Sequence, residues 1–225
     1  GLQPHRLQVG HLHLGAGHEL EVAMQGFWML RGNATEGRKY VRAALALPAV
    51  EASDLAQAWA LYVGAALANS QSDYAEARWM LEKSLLLRRR LGNPVEIAAA
   101  LSTLSSTCLH QGDAAQARAF EEEALAIFCT LGDRMGEAIG LAHLGEIDIE
   151  LADHESARRH FEECLVIARA ITNAELEGEC ERMLGKIALE EGDLLTARVR
   201  LTRSLEVCSS GEDKRGEATA RWWCA

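Results

Sequence analysis

The sequence has few of the residues that break regular structure or mark a linker. Only 3 of its 225 residues are proline, and no low-complexity stretch interrupts the chain. Flexible linkers are rich in glycine and serine or in proline. The composition therefore predicts a single domain over residues 1–225, long enough to bury a substantial core.

Other absences disfavour whole classes of function. The net charge is -10 with a pI near 5.3, which argues against direct nucleic-acid contact because such proteins need a basic stripe. No apolar run approaches the length of a membrane-spanning helix, and no secretory signal opens the sequence. The 6 cysteines are scattered rather than spaced as a disulfide framework, which is typical of a reduced cytoplasmic protein.

What is present instead is a repeat of forty residues. An Ala-Arg dipeptide begins at residues 77, 117, 157 and 197, and Gly37-Arg38 stands one step earlier. A leucine row and an acidic row keep the same spacing: Leu45, Leu85, Leu125, Leu165 and Leu205; Asp73, Asp113, Asp153 and Asp193, preceded by Asn33. The spacing predicts five repeats, about 14–52, 53–92, 93–132, 133–172 and 173–212, and a truncated sixth first helix at 213–225.

Within each repeat, apolar residues recur three and four apart, which is the helical period. The pattern predicts first helices near 14–31, 53–70, 94–110, 134–151 and 174–191, and second helices near 34–47, 73–91, 113–130, 153–171 and 193–209. The acidic row should cap the second helices. The Leu-Gly-Asp/Asn junctions at 91–93 and 131–133 should end one helix in a left-handed glycine and cap the next.

The repeat resembles the tetratricopeptide repeat. Leu144-Gly145, Ala157, Phe161 and the small Cys164 match the family pattern, whereas Leu104-Ser105 and Glu121 depart from it, Glu121 where a large apolar residue is expected. The resemblance implies an all-α, right-handed superhelical solenoid of antiparallel helix pairs. It also implies an interaction module that binds protein or peptide in its concave groove, with no cofactor and no catalytic activity.

A narrower resemblance concerns residues 27–38, which read FWMLRGNATEGR. This segment is similar to the opening repeat of bacterial signal-transducing NTPase regulators, including LuxR-like transcription factors. The chain would then be the sensor or scaffold arm of a larger regulatory protein. A free-standing scaffold that bridges partners is the alternative. An enzyme with a site in the groove is less favoured, because no triad, paired carboxylates or metal motif supports it.

The family register assigns groove positions to side chains of the first helices. The predicted groove residues are Trp59, Tyr62, Asn69, Ser102, Ser106, His110, Glu146, Arg182 and Lys186. Trp59 and Tyr62, one turn apart, would form a binding hot spot, or would pack against neighbouring helices.

Several further features could suggest a binding site, but the sequence favours a role in the fold for them. The segment 32–39 departs from a P-loop at its last two residues and joins two helices. His5, His11, His13 and His18 have no accompanying metal motif. The arginine row (Arg38, Arg78, Arg118, Arg158, Arg198) is expected to pair with glutamates four residues on, such as Glu82, Glu122 and Glu162, or with a neighbouring repeat. The apolar pair Trp222 and Trp223 would allow end-to-end association of copies.

Overall fold

The computed structural model describes residues 33–48 and 53–210, and every regular element in these ranges is an α-helix. The helices are α1 (Ala34–Leu45), α2 (Asp54–Asn69), α3 (Tyr74–Leu91), α4 (Pro94–His110), α5 (Ala114–Leu131), α6 (Arg134–Glu150), α7 (His154–Ala170), α8 (Ala174–Glu190) and α9 (Leu194–Ser210). The all-α repeat fold predicted from the forty-residue period is confirmed. The predicted first helix 14–31, the histidines at 5, 11, 13 and 18, and the segment 213–225 with Trp222 and Trp223 lie outside the described residues.

Polar caps begin the second helices at the predicted places. The side chains of Asp73, Asp113, Asp153 and Asp193 each accept a hydrogen bond from the backbone N–H three residues on. These bonds satisfy one of the orphan donors that every helix N-terminus leaves. Asn33 precedes α1 but makes no side-chain cap bond.

Glycines with positive φ end two of the second helices. Gly92 at φ 77° and Gly132 at φ 68° stand in the left-handed region that L-residues rarely adopt. Asp133 then caps α6 by accepting from the Gly136 N–H. These turns explain why the Leu-Gly-Asp/Asn junctions mark the boundaries between repeats.

Contacts divide the chain into two compact units, 1–93 and 94–225. In the first, α1 packs on α2 and α2 on α3, with Val41, Val63 and Leu67 in the core. The segment that resembles a P-loop is helical from Ala34, so it forms no phosphate-binding loop.

In the second unit, α4 pairs with α5, α6 with α7 and α8 with α9, and each pair packs on the next. Phe161 fills the space above Gly145, where an added Cβ would come within 2.7 Å of its ring. Cys164, Leu184 and Ile187 complete this apolar cluster. Small residues on first helices thus let the second helices approach closely.

Candidate functional site

In the first unit, two predicted groove residues contact an arginine of their own repeat. The Arg88 guanidinium carbon lies 5.2 Å from the Trp59 ring centroid and 4.4 Å from that of Tyr62. Arg88 is buried, and its Nε donates to Ser84 Oγ at 3.2 Å. Both rings remain half-buried. The pair therefore packs within the chain and keeps some exposed surface. Asn69 ends the same helix, α2.

In the second unit, the predicted residues lie on three first helices. Ser102, Ser106 and His110 belong to α4, Glu146 to α6, and Arg182 and Lys186 to α8. We call this set, together with His143 of α6, the groove face.

Two side chains of the groove face, Ser102 and His143, contact a fully buried carboxylate beneath it. Glu121 of α5 has no exposed surface, and its Oε1 accepts from Ser102 Oγ at 2.9 Å. His143 Nδ1 lies 3.3 Å from the same Oε1 and 3.1 Å from Ser102 Oγ. Three elements thus meet at one carboxylate.

The second carboxylate oxygen of Glu121 is not satisfied. Oε2 is buried and has no hydrogen-bond donor among the residues that the structure describes. A buried acceptor without a donor is costly, and the low local dielectric strengthens the field of its charge. The negative charge of Glu121 therefore acts on the groups above it, beginning with His143.

The hydrogen bonds of His143 show which of its ring nitrogens carries the proton. A carboxylate oxygen can only accept, so Nδ1 carries the proton that faces Glu121. Nε2 stands at the other edge of a ring whose side chain is 34% exposed, and it makes no hydrogen bond to the described residues. Burial alone would lower the pKa of His143, but the hydrogen bond and charge of Glu121, helped by Glu146, raise it above its ordinary value.

Glu146 lies one turn after His143 on the same face of α6. It forms no ion pair and no hydrogen bond within the described ranges. Burial raises the pKa of its carboxyl above the ordinary value, the charge of Glu179 adds to this, and His143, Arg182 and His110 oppose it. The charges of His143, Glu179, Arg182 and His110 thus all act on the pKa of Glu146.

The other charged groups of the groove face are occupied by neighbours on their own helix. Arg182 forms a two-bond ion pair with Glu179, with Nε donating at 3.0 Å. Lys186 Nζ lies 3.9 Å from Glu190. Arg182 therefore neutralises Glu179 and forms no ion pair with Glu146. The assignment of these residues to a groove stays a prediction.

The serine, histidine and carboxylate do not form a nucleophilic triad. A triad places the serine and the acid on opposite nitrogens of the histidine. Here Ser102 and Glu121 both face Nδ1, and Ser102 is only 9% exposed. No group of three or more metal-ligating side chains is present in 33–48 and 53–210. Ser102, Glu121 and His143 therefore form a hydrogen-bonded polar cluster without the geometry of a nucleophilic site.

The comparisons with known proteins agree with this architecture. A tetratricopeptide repeat family model matches residues 54–130. No curated protein matches the sequence. Solved structures similar to the chain include the apo form of RapI, with a TM-score of 0.79 at 12% identity over 90% of this chain and 74% of that one. The described helices have a tetratricopeptide repeat fold.

Two further similar structures come from different proteins. BtubC from P. vanneervenii aligns at TM-score 0.63 and 17% identity, over 84% of this chain and 85% of that one. A signal transduction ATPase with numerous domains (STAND) from Pyrococcus horikoshii, which carries a tetratricopeptide repeat sensor, aligns at TM-score 0.67 and 16% identity. That match covers 92% of this chain but only 36% of the ATPase.

The arginine row of the tetratricopeptide repeats mostly joins one repeat to the next. Arg38 pairs with Asp73 at 2.6 Å and with Glu76. Arg118 pairs with the buried Asp148, which His160 also contacts at 2.7 Å.

The pairing expected four residues on is found for Arg78 and Glu82 at 3.0 Å. Arg118 and Arg158 follow the other expectation, a partner in the neighbouring repeat, and Arg158 pairs with Glu191 instead of Glu162. The acid at the end of the following first helix is closer to these guanidinium groups than the expected glutamate.

His143 was absent from the residues predicted for the groove. The family register places Glu146 of the same helix in the groove, and in the sequence Glu121 is only a departure from the apolar pattern. A buried glutamate needs a hydrogen-bonding or charged partner, so Glu121 itself indicates that a polar side chain lies next to it. The sequence alone did not show which helix would supply the partner.

No described helix is both long enough and apolar enough to cross a membrane.

Proposed function

We propose that the chain binds an extended peptide segment of a partner protein on the groove face. Tetratricopeptide repeat proteins act as protein-interaction modules, and the family model covers two of these repeats. The observation that carries the proposal is the pair His143 and Glu146. Both present polar atoms that make no hydrogen bond to the described residues, and they stand one turn apart on a first helix.

A groove-blocking variant tests this function independently of ligand charge. Peptides would be selected from a random library on the immobilised chain and their affinities measured by fluorescence anisotropy. Ser106→Trp, on the groove face, should lower the affinity for the selected peptides by at least about tenfold, as loss of an interface hot spot does. Ala126→Trp, at an exposed position of the second helix α5, is the control and should change affinity by less than about twofold.

Failure of selection, or equal effects of the two tryptophan variants, would reject peptide binding on the groove face. The melting temperature of each variant shows whether the fold is retained.

At the level of the parent protein, we propose that the chain is the sensor or scaffold arm of a bacterial regulatory protein that works in the cytoplasm. The likeness to the repeat sensor of the STAND ATPase supports this, as does the resemblance of residues 27–38. The gene on either side of this segment tests the proposal. An upstream NTPase domain in the same reading frame is expected, and a gene that encodes repeats alone would favour a free-standing scaffold.

A further inference from the structure

We infer that the groove face recognises a cationic group of its partner, a lysine ammonium or an arginine guanidinium, held between the Glu146 carboxylate and Nε2 of His143 above the buried Glu121. This inference rests on the proposed peptide binding and names the chemistry of the ligand.

The first argument is the kind of hydrogen-bonding group that the face presents. Because Nδ1 of His143 carries a proton toward Glu121, the neutral ring offers only a lone pair at Nε2. The Glu146 carboxylate likewise only accepts. Side chains three apart on a helix are neighbours, so the two acceptors lie within reach of one ligand group. Ammonium and guanidinium groups supply several donors and accept none.

The second argument is the local charge. The charged neighbours of Glu146 on α8 are already neutralised, since Arg182 pairs with Glu179 and Lys186 lies beside Glu190. Glu146 therefore remains as a carboxylate without an ion pair in the described part of the chain. An anionic ligand would be repelled, and an uncharged amide would leave the charge unpaired.

The third argument is independent of Glu146 and concerns the charge beneath the face. Glu121 is fully buried, its Oε2 has no donor among the described residues, and its other oxygen contacts His143. Buried charges are normally paired or hydrogen-bonded throughout. A cation bound above His143 supplies the compensating positive charge that the described side chains supply only in part.

The site also predicts the sign of a pH dependence. A proton on Nε2 removes one acceptor and adds a positive charge, so proton and ligand compete, and binding should tighten as the pH rises through the titration of His143. The groups that face His143 are Ser102 (α4), Glu121 (α5), Glu146 (α6) and Cys164 (α7); those that face Glu146 are His110 (α4), His143 (α6), and Glu179 and Arg182 (α8). Deprotonation of Glu146 acts in the same direction.

A double-mutant cycle tests the inference. Peptides selected from the random library should share a lysine or arginine. Replacing that residue by alanine should cost about tenfold in affinity for the unmodified chain, because a charge-assisted hydrogen bond is lost. The same replacement should cost less than about twofold in the Glu146→Gln variant. Glu163→Gln is the matched control, since it removes one negative charge from an exposed position on α7 and should preserve the tenfold cost.

The outcomes separate the two proposals. Selected peptides without a basic residue, or an equal alanine cost in Glu146→Gln and Glu163→Gln, would overturn cation recognition while the Ser106→Trp result decides peptide binding by itself. A His143→Gln variant should lose most of the increase in affinity between about pH 5.5 and about pH 8. An unaltered increase in that variant would remove His143 from the site.

Discussion

Glu121 and Phe161 occupy the same position of consecutive repeats, forty residues apart, and the two repeats pack differently around them. Phe161 lies over Gly145 in an apolar cluster with Cys164 and Leu184. Glu121 instead draws a serine and a histidine from the helices on either side into hydrogen bonds.

The two sites differ in what they contribute. The Phe161 site buries apolar surface, which stabilises the pair of helices at about 25 cal/mol per Å². The Glu121 site buries a charge whose Oε2 has no donor among the described residues, which costs stability. The comparison indicates that Glu121 stabilises its repeat less than an apolar residue would, and that it places polar side chains on the groove face.

The largest effect on stability is expected when the glutamate of one repeat is introduced at the phenylalanine position of the next. Phe161→Glu would bury a carboxylate in an apolar cluster without partners, and should lower the free energy of unfolding by at least about 4 kcal/mol. Urea denaturation followed by circular dichroism measures this. Phe161→Leu is the control, because leucine stands at the same position in the fifth repeat as Leu201, and it should cost only about 1 kcal/mol. A Phe161→Glu chain as stable as the leucine variant would show that the two sites are interchangeable.

The converse replacement should raise stability by a smaller amount. The triple variant Ser102→Ala, Glu121→Leu, His143→Met carries the residues that other repeats have at these positions, namely Ala142, Leu201 and Met183. Replacing a buried ionic group by packed apolar side chains is neutral or stabilising, by about 1–4 kcal/mol. The same denaturation experiment measures the change.

The single variant Glu121→Leu is the control for this triple replacement. It should gain less, because Ser102 and His143 lose their acceptor. A clear loss of stability in the triple variant would show that the polar cluster stabilises the packing of the repeats, contrary to the cost assigned to it above.

The forty-residue period was sufficient to predict the helices and their caps. Each described helix begins and ends within about two residues of its predicted bounds, because cap residues and left-handed glycines fix helix ends locally. Asn33 is the exception, since it precedes α1 without a side-chain bond.

Partners across repeats could not be read from local spacing. Arg118 has a glutamate four residues on, yet it pairs with Asp148 thirty residues away, because helix packing brings that buried acid nearer. His143 was missed for the same reason. Its role depends on Glu121 in a neighbouring helix, a contact that exists only in the packed structure. The assignment of the groove residues to ligand binding stays a prediction.

The most direct test of the account is the titration of His143 by NMR, with and without a selected lysine-containing peptide. In the free chain, Glu121 should hold the pKa of His143 above its ordinary 6.5, and Glu121→Gln should lower it. A bound ammonium group opposes a second positive charge, so saturating peptide should lower the pKa of His143 in the unmodified chain. If the peptide leaves this pKa unchanged or raises it, no cation binds beside His143.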